Sequence, residues 1–467
     1  MKRSWVRSFR RRLVALTLVG GVVLALCSFA LGADAAPKLI VTRSVAANRV
    51  AELPEYVRPQ GFSSAQFDFG LESRWRYELR RNDYSSKFLD GDDAVVSRTL
   101  LYLGLKEVVD PLRLVLELQD SRHFLSERAP DPKVSDHFEP IQAMAQLYFP
   151  ETLSGMPIKL SFGRMAFDAV DRRLITRNRN RNATNTFDGF RLRLGDETRP
   201  WEIDSIALKP TQRTESGINR LNETAEDVSL YGVMGYLRPH SPSAVLEPYW
   251  LWLDQRGAAA LAQQRDIHTF GLHAYGQWGL DQSWNYDVSL AAQFGEVRGL
   301  RHRAFAAHGE IGYTFSAPYS PQIAGWLNYA SGDRDSQDQT DNSFDPLFGA
   351  TYTFYGYTGH FMWQNLVNPA LRFSFQPRKS VRFEVMYRTF WLASASDQWA
   401  RGANRRDPSG QGGSFVGQEV DARLVWQISR HFDIDAAYAH FIPGRFVHST
   451  GPSPDADFFQ VAATLRF

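Results

Sequence analysis

The chain has 467 residues, room for two or three soluble domains or for one large all-β unit. Its formal charge is +2, but six of its 53 basic residues (Lys2, Arg3, Arg7, Arg10, Arg11, Arg12) and one of its 51 acids (Asp34) lie before residue 36, so the remainder holds 47 basic against 50 acidic residues, a charge of −3. That balance excludes a basic nucleic-acid binder, and nothing beyond the N-terminus approaches the roughly 18 consecutive apolar residues of a membrane helix.

Residues 1–35 read as an export signal: the six basic residues come first, Leu13 to Leu31 form an apolar stretch, and Ala33-Asp34-Ala35 supplies a small-x-small cleavage site. The only cysteine, Cys27, would leave with it, so neither a disulfide nor a thiolate metal site is expected in the rest. Residues 36–66, with Pro37, Pro54 and Pro59, read as a periplasmic lead-in.

From residue 67 the pattern becomes two-fold. In Phe67–Leu79 the apolar positions 67, 69, 71, 75, 77 and 79 alternate with Asp68, Glu72, Arg74, Arg76 and Glu78. A strand sends successive side chains to opposite faces, which gives one greasy and one charged face; a helix would scatter both sets. The alternation recurs at 112–119, 284–294, 381–388 and 432–438, whereas 201–209 and 244–254 are strands of ambiguous phase. Strands are expected to start near 67, 94, 112, 141, 158, 187, 201, 227, 244, 267, 284, 303, 322, 365, 381, 417, 432 and 458. Eighteen is an even number, as a barrel with both ends on one side requires.

Connections alternate between short turns, such as Val109-Asp110-Pro111 and Gly195-Asp196, and long polar loops near 81–93, 123–140, 167–186, 210–226, 332–360, 394–416 and 442–457. Short periplasmic turns and long extracellular loops are the asymmetry of an outer-membrane antiparallel β-barrel. In the last strand Phe459, Val461, Ala463, Leu465 and Phe467 share one face, an ending suited to recognition by the outer-membrane assembly machinery. The expected domain is therefore a single all-β transmembrane barrel over 67–467. A closed sheet has no free edge, so a monomer is expected, embedded among outer-membrane lipid and lipopolysaccharide.

A barrel of this size encloses water, so inward positions should be polar. By parity they include Arg74, Arg76, Arg98, Lys106, Arg113, Arg164, Arg191, Arg193, Arg372, Arg382, Arg388 and Arg423, with Glu72, Glu78, Glu117, Glu384, Glu419 and Asp421. Taken singly these residues read as cross-strand ion pairs; taken together the arginines form a ladder of planar forks suited to carboxylates. A second basic cluster, Arg172, Arg173, Arg177, Arg179 and Arg181, lies on a long loop. It would make a positive collar if folded into the mouth, or touch lipopolysaccharide phosphates if it stands outside.

The segment Gly332–Asp341 has acids spaced loosely like a calcium loop but lacks the glycine and closing glutamate of that motif, so a solvated acidic loop is expected. No zinc-type histidine pair, nucleophile elbow or phosphate-binding glycine loop occurs, so no cofactor, metal or enzyme site is expected. Trp75, Trp252, Trp284, Trp326, Trp391 and Trp426 suit the aromatic girdles of the bilayer interfaces.

From residue 158 onward several words occur in order: Phe162-Gly163-Arg164, Thr186-Phe187-Asp188-Gly189, Ala330-Ser-Gly-Asp-Arg-Asp335, Ser343-Phe-Asp-Pro-Leu-Phe348, Trp363-Gln-Asn-Leu366, Phe390-Trp-Leu392, Gly417-Gln-Glu-Val-Asp421 and His440-Phe-Ile-Pro-Gly444. Together they resemble the alginate-export family of outer-membrane proteins; where that family continues Phe-Gly-Arg with Gln, this chain has Met165. The resemblance implies an eighteen-strand barrel whose arginine-rich lumen passes an acidic polysaccharide outward, with Arg164, Glu419 and Asp421 lining it. An uptake porin for small anions or acidic oligosaccharides is the competing expectation. A barrel-embedded hydrolase and a loop-borne adhesin are weaker ones.

Overall fold

A computed structural model describes residues 64, 66–86, 89, 91–126, 128, 134–152, 155–213, 221–238, 244–256, 264–279, 283–403 and 405–467. The expected signal and almost all of the lead-in lie outside the described residues. The wall consists of eighteen strands: β1 (Phe67–Arg81), β2 (Asp92–Val109), β3 (Leu112–Phe124), β4 (Asp136–Thr152), β5 (Met156–Met165), β6 (Phe187–Leu194), β7 (Trp201–Gln212), β9 (Val228–Leu237), β10 (Val245–Gln255), β11 (Arg265–Trp278), β12 (Trp284–Val297), β13 (Leu300–Thr314), β14 (Gln322–Ala330), β16 (Leu366–Arg378), β17 (Val381–Trp391), β18 (Phe415–Gln427), β19 (Phe432–Pro443) and β20 (Ala456–Arg466). Two-residue strands β8 (Glu223–Thr224) and β15 (Thr340–Asp341) lie in loops, and a short helix α1 (Arg445–Thr450) follows β19.

Each wall strand pairs antiparallel with the next, and β1 pairs with β20 from Glu72↔Arg466 to Arg81↔Asp457, so the sheet closes. All eighteen expected strands are present. The largest offset is at β4, which begins at Asp136, where the pairing with β3 shifts register on both sides of Pro140. Proline has no N–H for the ladder, so irregular pairing is tolerated there. The loops alternate in length as expected, with one exception at the long-loop end. There β12 and β13 are joined only by Arg298 (φ 55°) and Gly299 (φ 78°), a tight turn that both residues enter in the left-handed region.

The outer face carries half-exposed apolar side chains such as Phe190, Phe270, Leu371 and Phe373, as a wall in hydrocarbon requires. Near the short-turn end Trp278 stacks on Trp284 at 5.8 Å, and Trp284 packs against Tyr313 at 4.8 Å. Trp75, Trp252, Trp391 and Trp426 also have outward parity. Trp326 does not: it alternates with exposed Ile323 and Leu327, is buried on the inner face, and lies 5.2 and 5.0 Å from the Arg372 and Arg388 guanidiniums.

The inner face is not uniformly polar. Ile206, Leu208, Leu230, Met234 and Leu251 form one buried cluster with Phe167, Ile175, Phe344 and Trp363, which belong to loops. Loops 166–186 and 331–365 therefore fold into the barrel and give it an apolar core on one side. That is why β7 and β10 lack a clean alternation: their inward residues meet protein instead of water.

Candidate functional site

The strands place almost every expected lumen residue on the inner face, where nearby residues of the same or other strands supply its counter-charge. Glu72 on β1 accepts from Arg98 at 2.8 Å and from Arg466 at 3.0 Å. Lys106 meets Asp68 at 3.0 Å, and Arg76 meets Glu78 at 2.5 Å. Arg191 grips Asp204 with two donors (3.0 and 2.6 Å), Arg193 pairs with Glu202, and Arg372 reaches Glu310 at 2.7 Å. Arg423 binds Asp435 at 2.7 Å and Arg382 lies 3.3 Å from Glu384. Arg113 instead covers the Tyr148 ring at 3.7 Å. The ladder is thus largely one of cross-strand ion pairs, as each residue taken singly suggests. Of the acids that neutralise it, Asp204, Glu202, Glu310 and Asp435 were not among those expected.

Arg164 is a correction. Ser161 is buried inward while Phe162 is 43 % exposed, and Arg164 shares the parity of Phe162. It pairs directly across from Asp188, and its side chain, 14 % exposed, is held by Asp188 (2.8 Å), buried Glu139 and the Asn222 carbonyl (2.9 Å), so it ties down the long-loop end instead of lining an open lumen. Gly163 carries φ +115° immediately before it, at the strand's long-loop end.

The cluster from Arg172 to Arg181 lies inside the barrel, which settles its placement against the external alternative. Arg74 donates to the carbonyls of Arg179 (2.9 Å) and Arg181 (3.0 Å), Arg98 to that of Arg179 (2.8 Å), and Arg76 to that of Asn180 (2.6 Å). The Asn182 amide spans the carbonyls of Ser97 and Val134, each at 2.8 Å. Wall arginines therefore hold the loop by its backbone. The loop's own cations are partly neutralised: Arg177 binds Glu117 at 3.1 Å, Arg173 lies 3.2 Å from Asp171, and Arg179 lies 3.5 Å from Asp168. Burial alone would raise the Asp168 carboxyl, but the charges of Arg179 and Arg172 outweigh it and hold it below its ordinary range. Arg172 faces the Phe354 ring at 5.4 Å, and Arg181 borders an open cavity.

Loop 331–365 is fixed from the opposite wall. Glu419 accepts from the Tyr357 amide (2.8 Å) and the Thr358 hydroxyl (2.5 Å), and Glu384 accepts from the Tyr357 hydroxyl (2.9 Å). Arg388 bonds Asp421 at 2.7 Å and donates to the carbonyls of Thr353 (2.9 Å) and Phe354 (3.1 Å). Arg388, Glu419 and Asp421 are all 0 % exposed. They point inward as expected but anchor a loop instead of facing an open lumen. Gly356 (φ +100°) passes so close to the Glu419 carboxylate that a Cβ there would collide with it. The two loops also bond each other, through Phe348 N to Leu174 O (2.8 Å) and Ala350 N to Arg172 O (2.9 Å).

Among the described residues, two of the cavities flank residues 351–359. The outer one, about 520 Å³, lies against β1, β2 and β20 and includes Arg76, Glu78, Arg80, Asp92, Arg128 and Arg401. The inner one, about 360 Å³, includes Trp326, Arg372, Arg382, Glu384 and Arg423. Residues 351–359 separate them: Thr351, Tyr352, Thr358 and Gly359 border the outer cavity, while Thr353, Phe354 and Tyr357 border the inner. Near the mouth Asp83 meets Arg128 at 2.8 Å and His360 at 3.3 Å. Burial opposes charge on Asp83, yet the His360 contact and the Arg80 charge hold its carboxyl well below the usual range. Burial likewise pushes the His360 imidazole down, against the pull of Asp83. In the acidic loop Asp341 binds Arg298 at 2.7 Å and Asp345 binds Arg265 at 2.9 Å; among the described residues no group of three or more acids or histidines is arranged to hold a metal.

A closed sheet with an apolar, aromatic-belted exterior and a charged interior narrowed by its own loops defines an outer-membrane channel. Over residues 65–460 the chain matches the family model described as alginate export, and it belongs to that family. Comparison with curated protein sequences finds no match. Solved structures share the fold at low identity. OccK11 (OpdR) of Pseudomonas aeruginosa is 13 % identical, with 88 % of this chain and 99 % of that chain covered at a TM-score of 0.57. OccAB2 of Acinetobacter baumannii is 11 % identical, with 87 % and 99 % covered at 0.58. OpdK of Pseudomonas aeruginosa, solved with vanillate, is 11 % identical, with 86 % and 98 % covered at 0.55.

Proposed function

We infer that this outer-membrane channel passes an anionic, alginate-like polysaccharide passively out of the periplasm, working as a monomer reached through a cleaved export signal. One observation carries the charge preference. The inner cavity is lined by five arginines (172, 173, 372, 382, 423) against two carboxylates (Glu310, Glu384), and the outer by five (76, 80, 128, 181, 401) against three (Glu78, Asp83, Asp92). Each side of the partition thus has a surplus of positive charge in a chain that is slightly acidic beyond its signal. In a confined path such a surplus raises the local concentration of anions. Membership of the alginate export family supports a uronate polymer as the anion.

A second reading keeps the selectivity and changes the cargo. Cavities of about 520 and 360 Å³ suit one or two small anions better than a chain of sugars, unless residues 351–359 move aside. The test is efflux from liposomes holding the purified barrel. Uronate oligosaccharides should leave faster than neutral oligosaccharides of equal length, and the advantage should persist from dimers to long oligomers. An advantage confined to mono- and disaccharides supports the small-anion reading, and equal efflux of charged and neutral sugars contradicts both.

A further inference from the structure

We propose that the outer face of the β12–β13 hairpin binds a phosphate group of the phosphorylated glycolipid in the outer leaflet, through Arg301 and Arg303. On β13 these two arginines are exposed and alternate with His302 (1 %) and Ala304 (7 %), which are buried on the inner face. Phe305, the next outward residue, is 43 % exposed, and Phe294, directly across from Arg303, is 50 % exposed. The order along the outer surface is therefore Arg301, Arg303, then an aromatic band. Since successive outward residues on a strand are about 7 Å apart, Arg303 stands one such step from the edge of the apolar zone and Arg301 two.

Two other outward cations at this end of the barrel have partners: Arg122 lies 2.8 Å from Asp120, and Lys209 pairs with Glu226. Arg301 and Arg303 form no ion pair among the described residues. Glu296 sits opposite Arg301 in the ladder without reaching it, and the nearby Asp266 accepts from the Trp252 indole at 2.8 Å. The two-residue turn Arg298-Gly299 leaves the hairpin without a loop of its own to cover them. At the boundary between hydrocarbon and headgroups, two adjacent planar forks suit a phosphate monoester, which offers several oxygens to bidentate donors. This assignment concerns the outside of the wall and is independent of what crosses the lumen.

The experiment is native mass spectrometry of the full chain's folded barrel in detergent, titrated separately with bisphosphorylated lipid A, dephosphorylated lipid A and phosphatidylglycerol. Bisphosphorylated lipid A should bind at least tenfold more tightly than either other lipid. Arg301→Gln with Arg303→Gln should remove that advantage, while Arg378→Gln with Lys379→Gln at the short-turn end should leave it intact. Equal binding of the phosphorylated and dephosphorylated forms overturns the proposal, and this arm needs no variant. Unchanged lipid A affinity in the folded double variant, or equal affinity for phosphatidylglycerol, also overturns it.

Discussion

Replacing Thr351–Gly359 by a short Gly-Ser link should raise single-channel conductance several-fold while leaving the barrel folded. The segment lies across the lumen with one cavity on each side, so removing it joins the two into a continuous path. The wall does not depend on it: the ladder from β14 to β16 and from β16 to β18 is made by the strands themselves. What is lost is a set of loop acceptors and donors, together with the buried rings of Tyr355 and Tyr357. Arg388 loses two carbonyls but keeps Asp421, and Glu419 loses the Tyr357 amide and the Thr358 hydroxyl. Water entering the widened lumen can replace these bonds, which limits the cost in stability. Of the cluster that Tyr355 leaves, Phe361 and Trp363 lie further along the loop and remain in the excised variant. Conductance measured in planar bilayers checks the outcome; an unchanged value would mean that ions bypass the segment.

Deleting Phe467 should nearly abolish folded barrel in the outer membrane. Its amide and carbonyl exchange two hydrogen bonds with Leu71, each 2.8 Å, where the last strand closes on the first. Without them Leu71 presents an unpaired N–H and C=O to an apolar environment, at a cost of several kcal/mol. Phe467 is 45 % exposed on the outer face and stacks on His431 at 5.6 Å, so the deletion also removes an outward aromatic from the closing strand. Phe467→Tyr keeps the backbone bonds and an aromatic ring and should be tolerated. Heat-modifiable mobility in outer-membrane fractions reads both variants, and a normal yield from the deletion would show that closure does not rest on this residue.

The wall was legible because lipid outside and water or polar groups inside impose a two-residue period on sequence. It was least legible at 201–209 and 244–254. There Ile206, Leu208 and Leu251 point inward against loop residues beside inward acids such as Asp204 and Glu247, so the inner face is mixed and the phase is lost. Nothing in the local pattern announces an inward loop, since Arg172 to Arg181 would look equally polar in solvent. The arginines and several partner acids, such as Glu72, Glu384 and Asp421, were legible from parity, but which acid meets which arginine, as in the Arg191–Asp204 and Arg423–Asp435 pairs, is set by register, which only the paired ladder reveals. Trp326 shows the same limit: its lumen position follows from packing beneath Arg372 and Arg388, not from its residue type. Arg164 departs from the expected face because the strand alternates Ser161 inward and Phe162 outward, and nothing in the Phe-Gly-Arg word reveals that phase. Tyr352 and Tyr357, which divide the lumen, sit in a segment with no periodicity to read.

Reversal potential under a potassium chloride gradient tests most directly whether the positive surplus beside the partition governs traffic. The unmodified pore should prefer chloride, and the preference should weaken as salt rises, because the Debye length is already about 8 Å at physiological ionic strength. Changing Arg80, Arg382, Arg401 and Arg423 together to glutamine removes two arginines from each cavity and leaves Glu78 and Glu384 in place, so the potential should shift toward cations. The same change at exposed Arg430, on a short turn, should leave it unaltered. A cation-selective unmodified pore, or a fourfold variant with the same reversal potential, would contradict an anion pathway through these two cavities.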